Sequence, residues 1–187
     1  VNPTSDAIPN MTAIAQPVGG SINGEDSSDQ FGTALSINCD ATIVAIGSTQ
    51  HDNRDGHVRI YKFVPSETLE MMEDSLPTDV SRIDNIDGTW IQMGQTRDGK
   101  LGSKDQFGHA VAISADGARV AISARFADTK YDNGTIAEEN IGSVKVYQWS
   151  TPSEAWQPKG QILWGEADSD LFGRSVAMNF DGSRILI

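Results

Sequence analysis

The sequence predicts an all-β chain made of a repeated unit of four short antiparallel strands. Three observations predict it. A Phe-Gly dipeptide recurs in the same phrase three times, each copy is followed by two β-rich runs around a tight acidic turn, and a third run with strict alternation comes after them. Units begin near Phe31, Phe107 and Phe172.

The opening phrases are Asp29-Gln30-Phe31-Gly32, Asp105-Gln106-Phe107-Gly108 and Asp170-Leu171-Phe172-Gly173. The first strand follows each Phe-Gly, and the second is Ile43-Val44-Ala45-Ile46-Gly47, Val120-Ala121-Ile122-Ser123 or Ile185-Leu186-Ile187. Between them lie Asn38-Cys39-Asp40-Ala41, Ala115-Asp116-Gly117 and Phe180-Asp181-Gly182. Asp-Gly between apolar runs reads as a hairpin turn. The third strand, His57-Val58-Arg59-Ile60-Tyr61-Lys62-Phe63, matches Ser143-Val144-Lys145-Val146-Tyr147-Gln148-Trp149, with Val58 and Ile60 on one face. A fourth begins at Trp90 and at Trp156.

Phe31 and Phe107 are 76 residues apart, and Phe107 and Phe172 are 65 apart. The difference falls between strands, mainly in an acidic insertion over residues 64–89. Leu69, Met72 and Leu76 stand there at helical intervals before Pro77, which predicts a short rim helix. The aromatics Phe31, Phe107, Phe172, Tyr61, Tyr147, Trp90 and Trp156 recur in register, so they read as packing between units. Glycine after each Phe predicts close backbone approach.

These phrases resemble FG-GAP repeats, the blades of the seven-bladed propeller that heads integrin α subunits. Phe31-Gly32, Phe107-Gly108 and Phe172-Gly173 match the FG element, and Ile46-Gly47-Ser48 and Ile122-Ser123-Ala124 stand at the GAP element. The resemblance implies that residues 1–187 form a partial β-propeller of about two and a half blades. With about four to eight blades needed for closure, it also implies a whole ring of roughly 260 to 520 residues. Val1 at the start and the strand-like Ser183-Arg184-Ile185-Leu186-Ile187 at the end fit the same expectation of a partial chain.

With 26 Asp and Glu against 14 Lys and Arg, the net charge of −12 argues against nucleic acid or an anionic membrane surface as partner. No apolar run approaches the roughly 18 residues of a membrane span. Cys39 is the only cysteine, which excludes an internal disulfide, and His51, His57 and His109 lack metal-ligand spacing. No nucleophile with an adjacent base stands out, so the sequence predicts no enzyme. His51 and His57 read as a solvated loop, and His109 as an exposed strand position matching Thr33 and Arg174.

The resemblance brings calcium into question. Calcium-binding family members carry an Asp-x-Asp-x-Asp-Gly loop between the first two strands, and here it has shrunk to a turn, which leaves Asp40, Asp116 and Asp181 as lone carboxylates. Better oxygen-ligand candidates for calcium are Asp128, Asp132 and Asn133. His51 to Gly56 is a second acidic loop, and Glu25 to Asp29 repeats in register as Glu166 to Asp170, which reads as a shared turn. Asn10 and Asn133 head glycosylation sequons. Trp164 breaks the repeat and is a candidate partner-binding aromatic; residues 64–89 and 125–141 are candidate contact loops.

The resemblance therefore implies a non-enzymatic extracellular or cell-surface module for adhesion or protein binding, with a protein or glycan ligand. A structural subunit of a matrix or filament, paired with other copies, is the first alternative. A polysaccharide-acting propeller enzyme is the second.

Overall fold

Runs rich in Val, Ile, Tyr and Phe and bounded by glycine cannot bury their faces singly, so they pair and then stack. The computed structural model describes residues 19–65, 88–99, 104–130 and 134–187. It is all-β. In the first unit β1 (Phe31–Ile37), β2 (Ile43–Ser48) and β3 (His57–Pro65) form an antiparallel meander, and the outer edge of β3 takes β4 (Gly88–Gln92) and β5 (Arg97–Asp98).

The second unit repeats this with β6 (Phe107–Ile113), β7 (Arg119–Ala124) and, after a small hairpin of β8 (Thr129–Lys130) and β9 (Ile136–Glu138), β10 (Ser143–Ser150). The edge of β10 takes β11 (Ala155–Pro158) and β12 (Leu163–Trp164), and a third unit starts as the hairpin β13 (Ala177–Met178) and β14 (Ile185–Leu186). None of the sheets formed by the described residues closes on itself.

The expected fourth strand is interrupted in both units. Gly94 and Gly160, with φ of 74° and 77°, turn the chain out of the strand, and pairing resumes at β5 and β12. Registers otherwise coincide: Phe31 lies opposite Ser48 as Phe107 lies opposite Ala124, with a bulge just after each Phe-Gly.

Stacking of unit on unit builds the core. Ile43, Ala45 and Ile60 of the first sheet pack against Val111, Val120 and Ile122 of the second, and Phe107 and Trp156 between them are 1% exposed. Both faces of β3 are covered, since Val58 and Ile60 lie in this core while Tyr61 joins Val44 and Ile46 on the opposite side. Of the recurring aromatics, Phe107, Tyr147 and Trp156 lie in the core between the units, whereas Phe31, Tyr61 and Trp90 pack within the first unit. Edge-on pairs repeat inside each sheet, Phe63 with Trp90 and Trp149 with Trp156, both at 5.4 Å. Trp156 Nε1 donates to the Met93 carbonyl at 2.9 Å, which joins the two sheets.

Backbone hydrogen bonds between units also recur. Phe107 N donates to Asp55 O at 2.9 Å and Phe172 N to Ile141 O at 3.0 Å; at the far end Cys39 N donates to Ala115 O and Ala115 N to Phe180 O. Such contacts require glycine after the aromatic. A Cβ on Gly108 would stand 2.6 Å from the His57 carbonyl oxygen, and one on Gly173 would stand 2.7 Å from Ser123 Cβ.

The exposed ends of the stack are apolar. Leu35 and Ile37 of β1 are 62% and 48% exposed, although their counterparts in β6, Val111 and Ile113, are buried. Phe180 and Leu186 are open at the other end. The rim helix predicted around Leu69, Met72 and Leu76 lies outside the described residues, as do Asn10, Asp132 and Asn133.

Candidate functional site

The turn carboxylates serve the turns. Asp116 Oδ1 accepts from Ser114 Oγ at 2.6 Å and Ala118 N at 2.9 Å; Asp40 Oδ1 accepts from Thr42 Oγ1 and N, and Asp181 Oδ1 from Ser183 Oγ and N. These bonds lower all three pKa values below the usual carboxylate range. The repeated acidic stretches also share a turn, with Asp29 N donating to Asp26 O as Asp170 N does to Ala167 O.

Connections β2–β3 and β7–β10 meet the segments before each Phe-Gly at one end of the stack. There the second unit opens a cleft of about 400 Å³ that contains both Asp128 and Trp164. Its floor includes Phe107, Ala127 and Ser143, and Lys130 and Lys145 bring positive charge to its wall. Trp164 is 39% exposed on the edge strand β12, opposite Ser143. Asp128 Oδ1 accepts from Asn140 N at 2.8 Å, which fixes the carboxylate at the base of the β8–β9 hairpin. Asp132 and Asn133, the other expected calcium ligands, cannot be placed beside it because they fall outside the described residues. The cleft has the size and the mix of one aromatic with a few polar groups that suit a small ligand or a segment of a larger one.

The histidines correct the sequence reading. His57 is 1% exposed rather than solvated, and His51 lies against it with ring centroids 4.0 Å apart. Donor atoms of Glu25, His51 and His57 fall within 4.8 Å of one another, although Glu25 and His57 are 32 positions apart in sequence. The fold supplies what ligand spacing did not, because the turn at His51–Arg54 folds back on the start of β3, with Asp52 and Asn53 at φ of 47° and 58°.

His51 Nδ1 is 2.9 Å from Asp29 Oδ2 and 3.9 Å from Glu25 Oε2, and Glu25 Oε1 pairs with Arg59. Burial opposes protonation of His51, but the Asp29 hydrogen bond and the charges of Asp52, Asp29 and Glu25 outweigh it and raise its pKa. Burial, with His51 and Arg59 adding to it, pushes His57 down to about 4. Neither ring nitrogen of His57 has a hydrogen-bond partner. His109 is half-buried, unlike exposed Thr33 and Arg174, because the second unit is covered on both sides; burial, Arg125 and Arg174 lower its pKa.

No protein-family model matches the chain, and no curated protein matches its sequence. Among the described residues no helix is long and apolar enough to cross a membrane.

Proposed function

We propose that the chain supplies consecutive blades of an FG-GAP-type β-propeller and acts as a non-enzymatic binding module at the cell surface or in the extracellular matrix. The observation that carries this reading is the cleft in which Trp164 and Asp128 converge. Trp164 is held on a strand, so its indole presents a rigid apolar face at low entropic cost, and Asp128, Lys130 and Lys145 add charged groups of both signs around it. That set suits a protein or glycan ligand. The repeated sheets and the recurring backbone hydrogen bonds between units support the propeller architecture.

The test uses the full-length natural protein against arrays of immobilised glycans and of matrix proteins. Binding to a member of either array, weakened about tenfold or more by Trp164→Ala and also by Asp128→Ala, supports the reading. Unchanged binding in both variants, or turnover of an arrayed polysaccharide, overturns it.

A structural subunit of a surface assembly is the second reading, and the exposed Leu35 and Ile37 of β1 favour it. It requires the full-length protein to gain mass with concentration in sedimentation.

A further inference from the structure

We propose that Glu25, His51 and His57 bind one divalent transition-metal ion of the zinc class, which ties the segment before β1 to the start of β3. This site is separate from the Trp164 cleft and does not depend on what that cleft binds. Its three donor atoms already lie within 4.8 Å of one another. Two imidazoles and a carboxylate suit zinc, nickel, cobalt or copper, whereas calcium takes six to eight oxygens.

His57 is the independent pointer to a ligand. Its ring is 1% exposed, and both nitrogens lack a partner, an arrangement that is costly unless something accepts the lone pair. Packing does not require an imidazole at this corner, because the second unit builds the same corner without one. Ser143 occupies the register position of His57, opposite Ala124 as His57 is opposite Ser48. Ala127 occupies that of His51, since Gly142 N donates to Ala127 O as Gly56 N does to His51 O.

The carboxylates are disposed for such an ion. Glu25 gives one oxygen to Arg59 and turns the other toward His51 Nδ1. Its side chain is 57% exposed, so it can move inward to the roughly 2.0–2.2 Å bonds of a zinc site. Asp29, 9% exposed, lies 2.9 Å from the same Nδ1 and brings a further carboxylate to the site. Glu25, Asp29 and Asp52 together outweigh the positive charge of Arg59.

The test titrates untagged, chelator-treated full-length protein with Zn(II), and with Co(II) as a coloured probe. Glu25→Gln, His51→Ala and His57→Ser are compared with it; the last two place at each position the residue the second unit already uses, so the corner still folds. The expected result is one Zn(II) per chain, a visible Co(II) absorption displaced by Zn(II) but not by Ca(II), and a rise in melting temperature. Each variant should weaken association about tenfold or more. Equal Zn(II) affinity in His51→Ala and His57→Ser, or no binding by the unsubstituted protein, overturns the proposal and leaves a buried water as the partner of His57.

Discussion

Gly108→Ala separates the two jobs assigned to the glycine of the Phe-Gly phrase. Gly108 has φ of +87°, and an added Cβ would meet the His57 carbonyl oxygen at 2.6 Å and Val58 Cγ2 at 2.9 Å. Gly160 has a similar φ of +77° with nothing within 4 Å of a Cβ. Both substitutions carry the left-handed backbone penalty of about 1–2 kcal/mol. Only Gly108→Ala also pushes backbone against backbone between two packed sheets, which adds about 1–3 kcal/mol. The predicted order is therefore a loss of about 1–2 kcal/mol for Gly160→Ala and about 2–5 kcal/mol for Gly108→Ala. Urea denaturation with a common m-value reads the difference. Equal losses would mean that conformation alone demands glycine after Phe, and the account of unit-to-unit contact would fail.

Two further predictions concern the hairpin turns. Ala41 has φ of 59° at the position where the other units place Gly117 and Gly182, so Ala41→Gly should stabilise the protein by about 0.5–1 kcal/mol, the left-handed strain relieved less the greater freedom of glycine in the unfolded chain; an unchanged or lower urea midpoint would contradict this. Asp116→Ala should cost about 1 kcal/mol near neutral pH, a modest figure because the carboxylate is exposed. Its pKa is lowered in the fold by Ser114 and Ala118, so its contribution is complete above the unfolded value of 3.8 and disappears as pH falls through the lower folded value. The gap between Asp116→Ala and the unsubstituted protein should accordingly narrow only in acid, and a gap constant down to the lowest pH at which the protein folds would refute the assignment.

Much of the fold could be read from period and punctuation. Phe31, Phe107 and Phe172 mark unit starts, Asp116-Gly117 and Asp181-Gly182 mark two of the turns, and the alternation from His57 to Phe63 marks an inner strand, because each of these signals is local. The split of the outer strand at Gly94 and Gly160 was not legible, since a glycine inside a strand pattern signals either a bulge or an exit. The cleft was partly legible: Trp164 departed from the repeat and Asp128 lay in an acidic loop, but nothing in the sequence told that they line one cleft.

The histidine cluster stayed hidden because donor spacing is a local test and its residues come from three separate segments. Register makes it visible. His51 and Ala127 hold one position, and His57 and Ser143 another, while Arg59 and Lys145 hold a third, each cation over the Phe of its own unit at 6.0 and 5.6 Å. The same backbone corner is therefore built twice. Small side chains leave it open as the Trp164 cleft in the second unit, and imidazoles fill it in the first. A repeat fixes the positions that must pack, so residues that differ at one equivalent corner are those free to take on function, and at this corner they differ in volume and donor chemistry together.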